Sequence, residues 1–390
     1  MRKTIYLDNA ATTPVDEKVL KAMEPYFSEK YGNASSLHSL GLEARRAIEN
    51  SRAIIAKSIN AKPEEIIFTS GGTESNNFAI KSIAFSNKDK GRNIITTKIE
   101  HDCVLNSCKW LEKQGFEITY LDVDKEGFVK LDELKKAITN ETILVSIIHG
   151  NNEIGTIQDL KAIGEICKEK GIYFHTDACQ SYTKTEIDVK KINIDLITLN
   201  AHKIHGPKGV GALYIRKETK IEPWQHGGGH EFGLRNGTEN VHGIVGFSAA
   251  SKLIRKKEIE NMKRLRDKLI SGLKKIPGSR LNGPEGDKRL CNNVNFSFDG
   301  VEGEAIGGYL DAEGISSSTG SACSSKSLEP SHVLKAIGLK DMEAHGSLRL
   351  SLGKQTIKEE IDKVLETLPK IIGKLRKISP FEKIVDKLVG

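Results

Sequence analysis

Apolar runs of strand length alternate with helix-like stretches from about residue 50 to residue 250. Glu65–Ser70, Asn93–Thr97, Phe116–Leu121 and Thr142–Ile148 are short apolar runs bounded by Gly, Asn or charged residues, and this predicts strands. Between them, apolar spacing predicts helices through Ala84, from about Val104, over Leu131–Ala137 and over Asp159–Lys170. Two more strands are expected in Ile172–Ser181 and Asp195–Gly211, and each ends in polar residues able to do chemistry. Such alternation argues for an α/β fold with a mostly parallel sheet covered by helices, in which ligands gather at the carboxyl ends of the strands.

Beyond residue 250 the pattern changes. A long charged helix, Ser251–Lys274, leads to Pro277-Gly278, two strand-like runs (Asn292–Phe298 and Ser347–Gly353) and two closing amphipathic helices. This reads as a smaller α+β domain of residues 256–390, with residues 16–255 as the large domain. The first twenty residues or so are expected to pack with the small domain or to bridge the two parts. Ser316–Ser327 (SSSTGSACSSKS) has almost no bulky side chains and is expected to be a mobile loop.

Composition narrows the classes. A length of 390 residues is too great for one small core. The formal charge of +7 is mild, and the densest basic stretch, Lys252–Lys268, also carries Glu258, Glu260 and Asp267. It reads as an exposed helix face, and no direct nucleic-acid partner is expected. No apolar stretch approaches the ~20 residues needed to span a bilayer, and the N-terminus has no apolar signal core, so no membrane association and a cytoplasmic enzyme are expected. The six cysteines show no CxxC pairing or zinc-module spacing. Most are expected to be buried small hydrophobes.

Candidate chemistry begins with Asp177 and Lys203, at the ends of two strands adjacent in sequence. An acid that can hold a pyridinium nitrogen and a lysine that can form a Schiff base are what pyridoxal phosphate requires. Either residue alone would be unremarkable, and Lys208 competes from a Gly-Pro turn. TSGGTESNN (Thr69–Asn77) passes from strand to helix through two glycines and could cradle a phosphate, although Gly-Gly-Thr is also an ordinary helix start. His101 could stack on an aromatic ring or be structural. His226 and His230 are four apart, but the glycines between them argue against a helical zinc site. Cys323, in the small-residue loop, is either an incidental thiol or one whose reactivity is used.

These segments resemble the cysteine desulfurases of the NifS/IscS type, which belong to the class V aminotransferases among the fold-type I pyridoxal phosphate enzymes. The resemblance runs through YLDNAATTP (Tyr6–Pro14), GNASSLHSLG (Gly32–Gly41), FTSGGTESNN, EHDCVL (Glu100–Leu105), GNNEIGTIQ (Gly150–Gln158), HTDACQS, AHKIHGPKG, GGGHEFGLRNGTEN (Gly227–Asn240), SSTGSACSS (Ser317–Ser325) and SLRLSLG. It implies a seven-stranded, mostly parallel sheet in the large domain. The small domain, residues 1–15 with 256–390, would carry the catalytic cysteine loop at about 316–327.

The resemblance also implies roles. Lys203 would carry the cofactor, Asp177 hold its ring nitrogen, Gln180 its phenolic oxygen, and His101 stack over the ring as a catalytic residue. Gly72, Thr73, Asn200 and His202 would hold the phosphate, helped by Thr238 of a second subunit in a homodimer. Asn152, beside the cofactor, and Arg349 would receive the substrate carboxylate. Cys323 would take sulfur from L-cysteine as a persulfide, leaving L-alanine, and could also ligate a transient iron–sulfur cluster. The implied acceptors are an iron–sulfur scaffold protein and tRNA-thiolation proteins. The chain departs from the family's usual pattern at Asn200 (usually Ser), His230 (usually Gln) and Asn236 (usually Ser). A selenocysteine lyase or other β-lyase, and a degenerate scaffold of the same fold, are the competing readings. Intact Lys203, Asp177 and Cys323 speak against the scaffold, and Cys323 against a simple lyase.

Overall fold

A computed structural model describes residues 4–319 and 329–378. Its strands, in chain order, are β1 (Ile5–Tyr6), β2 (Ile66–Thr69), β3 (Asn93–Thr97), β4 (Glu117–Leu121), β5 (Thr142–Ser146), β6 (Tyr173–Asp177), β7 (Leu196–Asn200), β8 (Gly211–Ile215), β9 (Ser279–Leu281), β10 (Asn293–Phe298), β11 (Ile315–Ser316) and β12 (Ser347–Ser351). Seven of them form one sheet in the order β2-β8-β7-β6-β5-β3-β4. All neighbours are parallel except at β8, which runs antiparallel to both β2 and β7.

Burial explains the composition of these strands. β2, β3, β5, β7 and β8 are buried throughout, as expected when helices cover both faces of a sheet. One apolar cluster, including Phe68, Ile95, Phe174, Ile197 and Tyr214, fills one side. A second cluster, with Phe78, Ile83, Val104, Leu144 and Leu213, fills the other beneath the helices Gly72–Asn87 and Asp102–Glu112.

The patterning places six of the seven strands; the seventh, β8, lies in the segment that follows the Gly206-Pro207 turn. The connection from β7 is short and returns antiparallel, so no helical crossover announces it. Its first residue must be glycine: a Cβ on Gly211 would stand 2.7 Å from Gly71 Cα and 2.8 Å from the Leu199 carbonyl.

Past residue 255 the helix Lys256–Leu273 precedes a three-stranded antiparallel sheet, β12-β10-β9. Leu265, Leu269, Phe296, Phe298, Leu348, Val364 and Leu368 form its own core with the helix Lys358–Ile378. That helix is the only closing helix among the described residues; residues 379–390 lie outside them. The N-terminal segment does bridge. β1 pairs with β11, and Leu7 enters the C-terminal core, while Val19 sits in the larger one. Among the described residues, no helix is long and apolar enough to cross a membrane.

Candidate active site

The carboxyl ends of β2, β6 and β7 open on one cavity of about 390 Å³. β6 delivers Asp177 at its last position and β7 delivers Asn200, with His202 and Lys203 just beyond. β2 ends before Ser70-Gly71-Gly72, where the helix Gly72–Asn87 begins. Gly72, Thr73, His101, Asn152, Asp177, Gln180, Asn200, His202, Lys203 and Arg349 all line this cavity, so ten of the residues singled out in the sequence meet in one place. Thr238 is exposed and does not line it. Cys323 and most of its loop lie outside the described residues.

Asp177 is buried and held from two sides. Asn76 Nδ2 donates to its Oδ2 at 2.7 Å, and the Cys179 N–H donates to Oδ1 at 2.8 Å. Lys203 Nζ donates to the Ala10 carbonyl and, at 2.5 Å, to that of Ala11. The Ala10 carbonyl also accepts from Gln180 Nε2 at 2.8 Å. The turn after β1 therefore holds the amine of Lys203 and steadies Gln180 at once.

The phosphate end is shaped by tight packing. A Cβ on Gly72 would stand 2.6 Å from Cys179 Sγ and 3.4 Å from Asn200 Nδ2, so only glycine lets a ligand approach this helix start. His202 Nδ1 lies 3.2 Å from Thr12 Oγ1. Burial, with Lys203, Lys208 and Lys184 nearby, pushes its pKa down to about 4, so it meets an anion as a neutral imidazole.

The other wall comes from residues far apart in sequence. Arg349, 3% exposed, donates to Asp8 Oδ1 at 3.0 Å and to the Asn152 carbonyl at 3.1 Å. Glu100 is buried; its Oε1 accepts from Thr97 Oγ1 at 2.6 Å and from the Ile148 N–H at 3.0 Å. Burial raises its pKa to about 8, leaving it protonated at neutral pH. Ser331 Oγ donates to Glu153 Oε2 at 2.6 Å, and His332 Nε2 lies 2.9 Å from the Glu100 carbonyl. His101 caps the helix Asp102–Glu112, its Nδ1 accepting from the Cys103 N–H at 3.2 Å.

Several buried polar atoms around this cavity have no hydrogen-bond partner among the described residues: Asn76 Oδ1, Glu100 Oε2, Asn200 Oδ1 and Arg349 Nε. Unsatisfied buried groups gathered on one cavity are what a polar ligand would satisfy. With Asp177, Lys203 and the Gly72 helix start they form a set of donors and acceptors that fits pyridoxal phosphate and an amino-acid carboxylate.

Sequence reasoning missed several members of the site. Cys108, Cys167, Cys179 and Cys291 are buried, as expected of most of the cysteines, but Cys103 is only partly so, and both Cys103 and Cys179 line the cavity. Asn76, Asp8, Glu100, Ser331 and His332 were not singled out either. The available signals were the one-turn offset of Asn76 from Gly72 and the adjacency of Glu100 to His101. His230 sits in an irregular segment with Nε2 3.2 Å from Ser35 Oγ. Among the described residues, no group of three or more His, Cys, Asp or Glu could hold a metal ion.

The aminotransferase class-V family model matches residues 5–364. The cysteine desulfurase IscS of Methanosarcina thermophila is 56% identical over 382 residues, covering 97% of this chain and 94% of that protein. A solved NifS-like protein is 40% identical, with a TM-score of 0.89, covering 95% of this chain and 99% of that one. A structure of SspA in complex with cysteine is 39% identical, with a TM-score of 0.82, covering 91% of this chain and all (100%) of that one.

Proposed function

The chain belongs to the aminotransferase class-V family and is a cysteine desulfurase within it, and we propose that it converts L-cysteine to L-alanine by the residues gathered at this cavity, passing the sulfur to Cys323. The observation that carries the reading is the meeting of Asp177, Lys203 and Arg349 on one cavity.

Pyridoxal phosphate is the proposed cofactor. Asp177 would hold its ring nitrogen, Gln180 its phenolic oxygen, and Gly72, Thr73, Asn200 and His202 its phosphate, with the ring beside His101. When bound there, it supplies an electron sink for charge developing on the substrate.

The residues of the chain do the rest. Arg349, already turned toward the cavity by Asp8 and the Asn152 carbonyl, receives the substrate carboxylate through its fork of donors. Lys203 Nζ, held by the Ala10 and Ala11 carbonyls, takes the Cα proton of L-cysteine and returns protons as alanine forms. The Cys323 thiolate attacks the substrate sulfur, the C–S bond breaks, and Cys323 keeps the sulfur as a persulfide. One L-cysteine and one thiol give one L-alanine and one persulfide.

The proposal extends to assembly and context. Residues 16–255 form the cofactor-binding unit, while residues 1–15 with 256–390 bring Arg349 and Cys323. The protein works as a homodimer in the cytoplasm. Exposed Thr238 lies in the segment 228–239, which flanks residues 34–52 in a polar surface pocket and would complete the partner's phosphate site. The sulfur goes to an iron–sulfur scaffold protein, with tRNA-thiolation proteins as further acceptors, and Cys323 can ligate a cluster in transit.

Mass spectrometry after brief L-cysteine treatment, with and without reductant, tests the reaction. A reductant-sensitive gain of one sulfur at Cys323 with alanine formed is expected. Alanine without that adduct would make the protein a lyase.

A further inference from the structure

Cys103 is absent from the roles above, yet it stands between two residues that have them. Its Sγ lies 3.1 Å from His101 Nδ1, and its backbone N–H donates to the same Nδ1 at 3.2 Å. On its other side Sγ accepts from Asn76 Nδ2 at 3.1 Å, and Asn76 Nδ2 also donates to Asp177 Oδ2 at 2.7 Å. Asn76 is fully buried, with no exposure at all.

The proton directions in this chain are determined by chemistry. A backbone N–H can only donate, so His101 Nδ1 must be an acceptor and cannot carry a proton. The thiol next to it therefore donates its S–H to Nδ1. An amide nitrogen can only donate too, so Asn76 spends one N–H on Asp177 and the other on the Cys103 sulfur. The chain reads Asp177 Oδ2, Asn76 Nδ2, Cys103 Sγ, His101 Nδ1, with every proton pointing away from Asn76 or toward His101. Which ring nitrogen of a histidine is protonated is set by the hydrogen bond the other one makes.

We propose that Cys103 is a positioning residue for the desulfurase reaction: its thiol helps to fix His101 in the tautomer with its proton on Nε2 and, through Asn76, links the orientation of His101 to that of Asp177. The proposal rests on the roles given above to His101 and Asp177. In this arrangement His101 serves the cavity as a donor at Nε2. Asp177 and His101 then move as one unit, although they arrive from different elements.

Three variants and one spectroscopic measurement test this. Cys103→Ala should lower kcat for alanine formation about three- to tenfold, the worth of one hydrogen bond, with KM changed by less than about twofold. Cys103→Ser, whose hydroxyl can donate and accept in the same directions, should recover kcat to within about twofold of the parent. Asn76→Ala should lower kcat at least as far as Cys103→Ala. In cofactor-free protein with ¹⁵N-labelled histidine, NMR should show His101 protonated at Nε2 in the parent, and a shifted Nδ1 resonance in Cys103→Ala, where only the backbone N–H remains as its donor.

A parent His101 protonated at Nδ1 would overturn the proposal. So would a Cys103→Ala variant with parental kcat and an unchanged His101 resonance, or a Cys103→Ser variant as slow as Cys103→Ala. The NMR result stands without turnover. A parent that forms no alanine therefore counts against the functional reading and leaves the tautomer assignment to be decided by its own spectrum.

Discussion

A methyl group at position 72 would meet Cys179 Sγ at 2.6 Å, at the point where a phosphate would approach the helix start. Gly72→Ala should therefore strain the fold here by about 1–3 kcal/mol and weaken cofactor retention. Adding Cys179→Ala should recover part of the loss; equilibrium dialysis of the cofactor against both variants checks this. Arg349 offers a second case. Asp8→Asn removes the charge opposite the guanidinium, and KM for L-cysteine should change more than kcat, as steady-state kinetics would show. Lys203→Ala should lose the visible absorbance of lysine-bound cofactor. At this scale, the sequence revealed residues whose place is fixed by a strand end, such as Asp177 and Lys203. It hid Cys103, Asn76 and Asp8, which join the site through contacts between elements that no local spacing records.

The edge of the main sheet depends on a buried ion pair. Arg52, on the helix Ser39–Ser58, lies between the rings of Phe68 and Phe232, at 4.9 and 5.0 Å. It donates to Glu231 at 2.7 and 2.8 Å and to the Ile66 carbonyl at 2.6 Å, while Glu231 also accepts the Phe68 N–H at 2.7 Å. The carboxylate thereby satisfies an outward N–H of edge strand β2 that has no neighbouring strand. Arg52→Met should cost about 3–5 kcal/mol by leaving Glu231 buried and unpaired, measurable as a lower urea midpoint. The helices and parallel strands were legible because the sequence alternates with them. β8 was not, because an antiparallel return after a Gly-Pro turn breaks that alternation.

Across the whole molecule, buried and half-buried histidines shape the response to acid. His149, His175, His202 and His205 are each held near a pKa of about 4, with burial the leading cause, against 6.5 as the ordinary value. Between about pH 6.5 and 4 the unfolded chain binds protons that the folded chain refuses, so stability should fall as pH falls through that window. Glu100, raised to about 8, opposes this, as do Glu153 and Asp195, whose carboxyls burial also raises. Urea midpoints between pH 7 and 4.5 should decline, and His175→Gln should make the decline shallower. The change in pattern near residue 250 made the C-terminal core legible in advance. How the N-terminal segment threads the site was not, because its partners lie 170 or more residues away along the chain.

That threading has a consequence for the order of synthesis. Residues 5–13 are made long before their partners, for Leu7 pairs with Ser316, Asn9 with Ser351, and the Ala10 N–H with Ser351 Oγ. The carbonyls of Ala10 and Ala11 that hold Lys203 belong to this same stretch. The amine site therefore cannot close until the chain has been made as far as Ser351, and a cofactor held there would be captured only after that point.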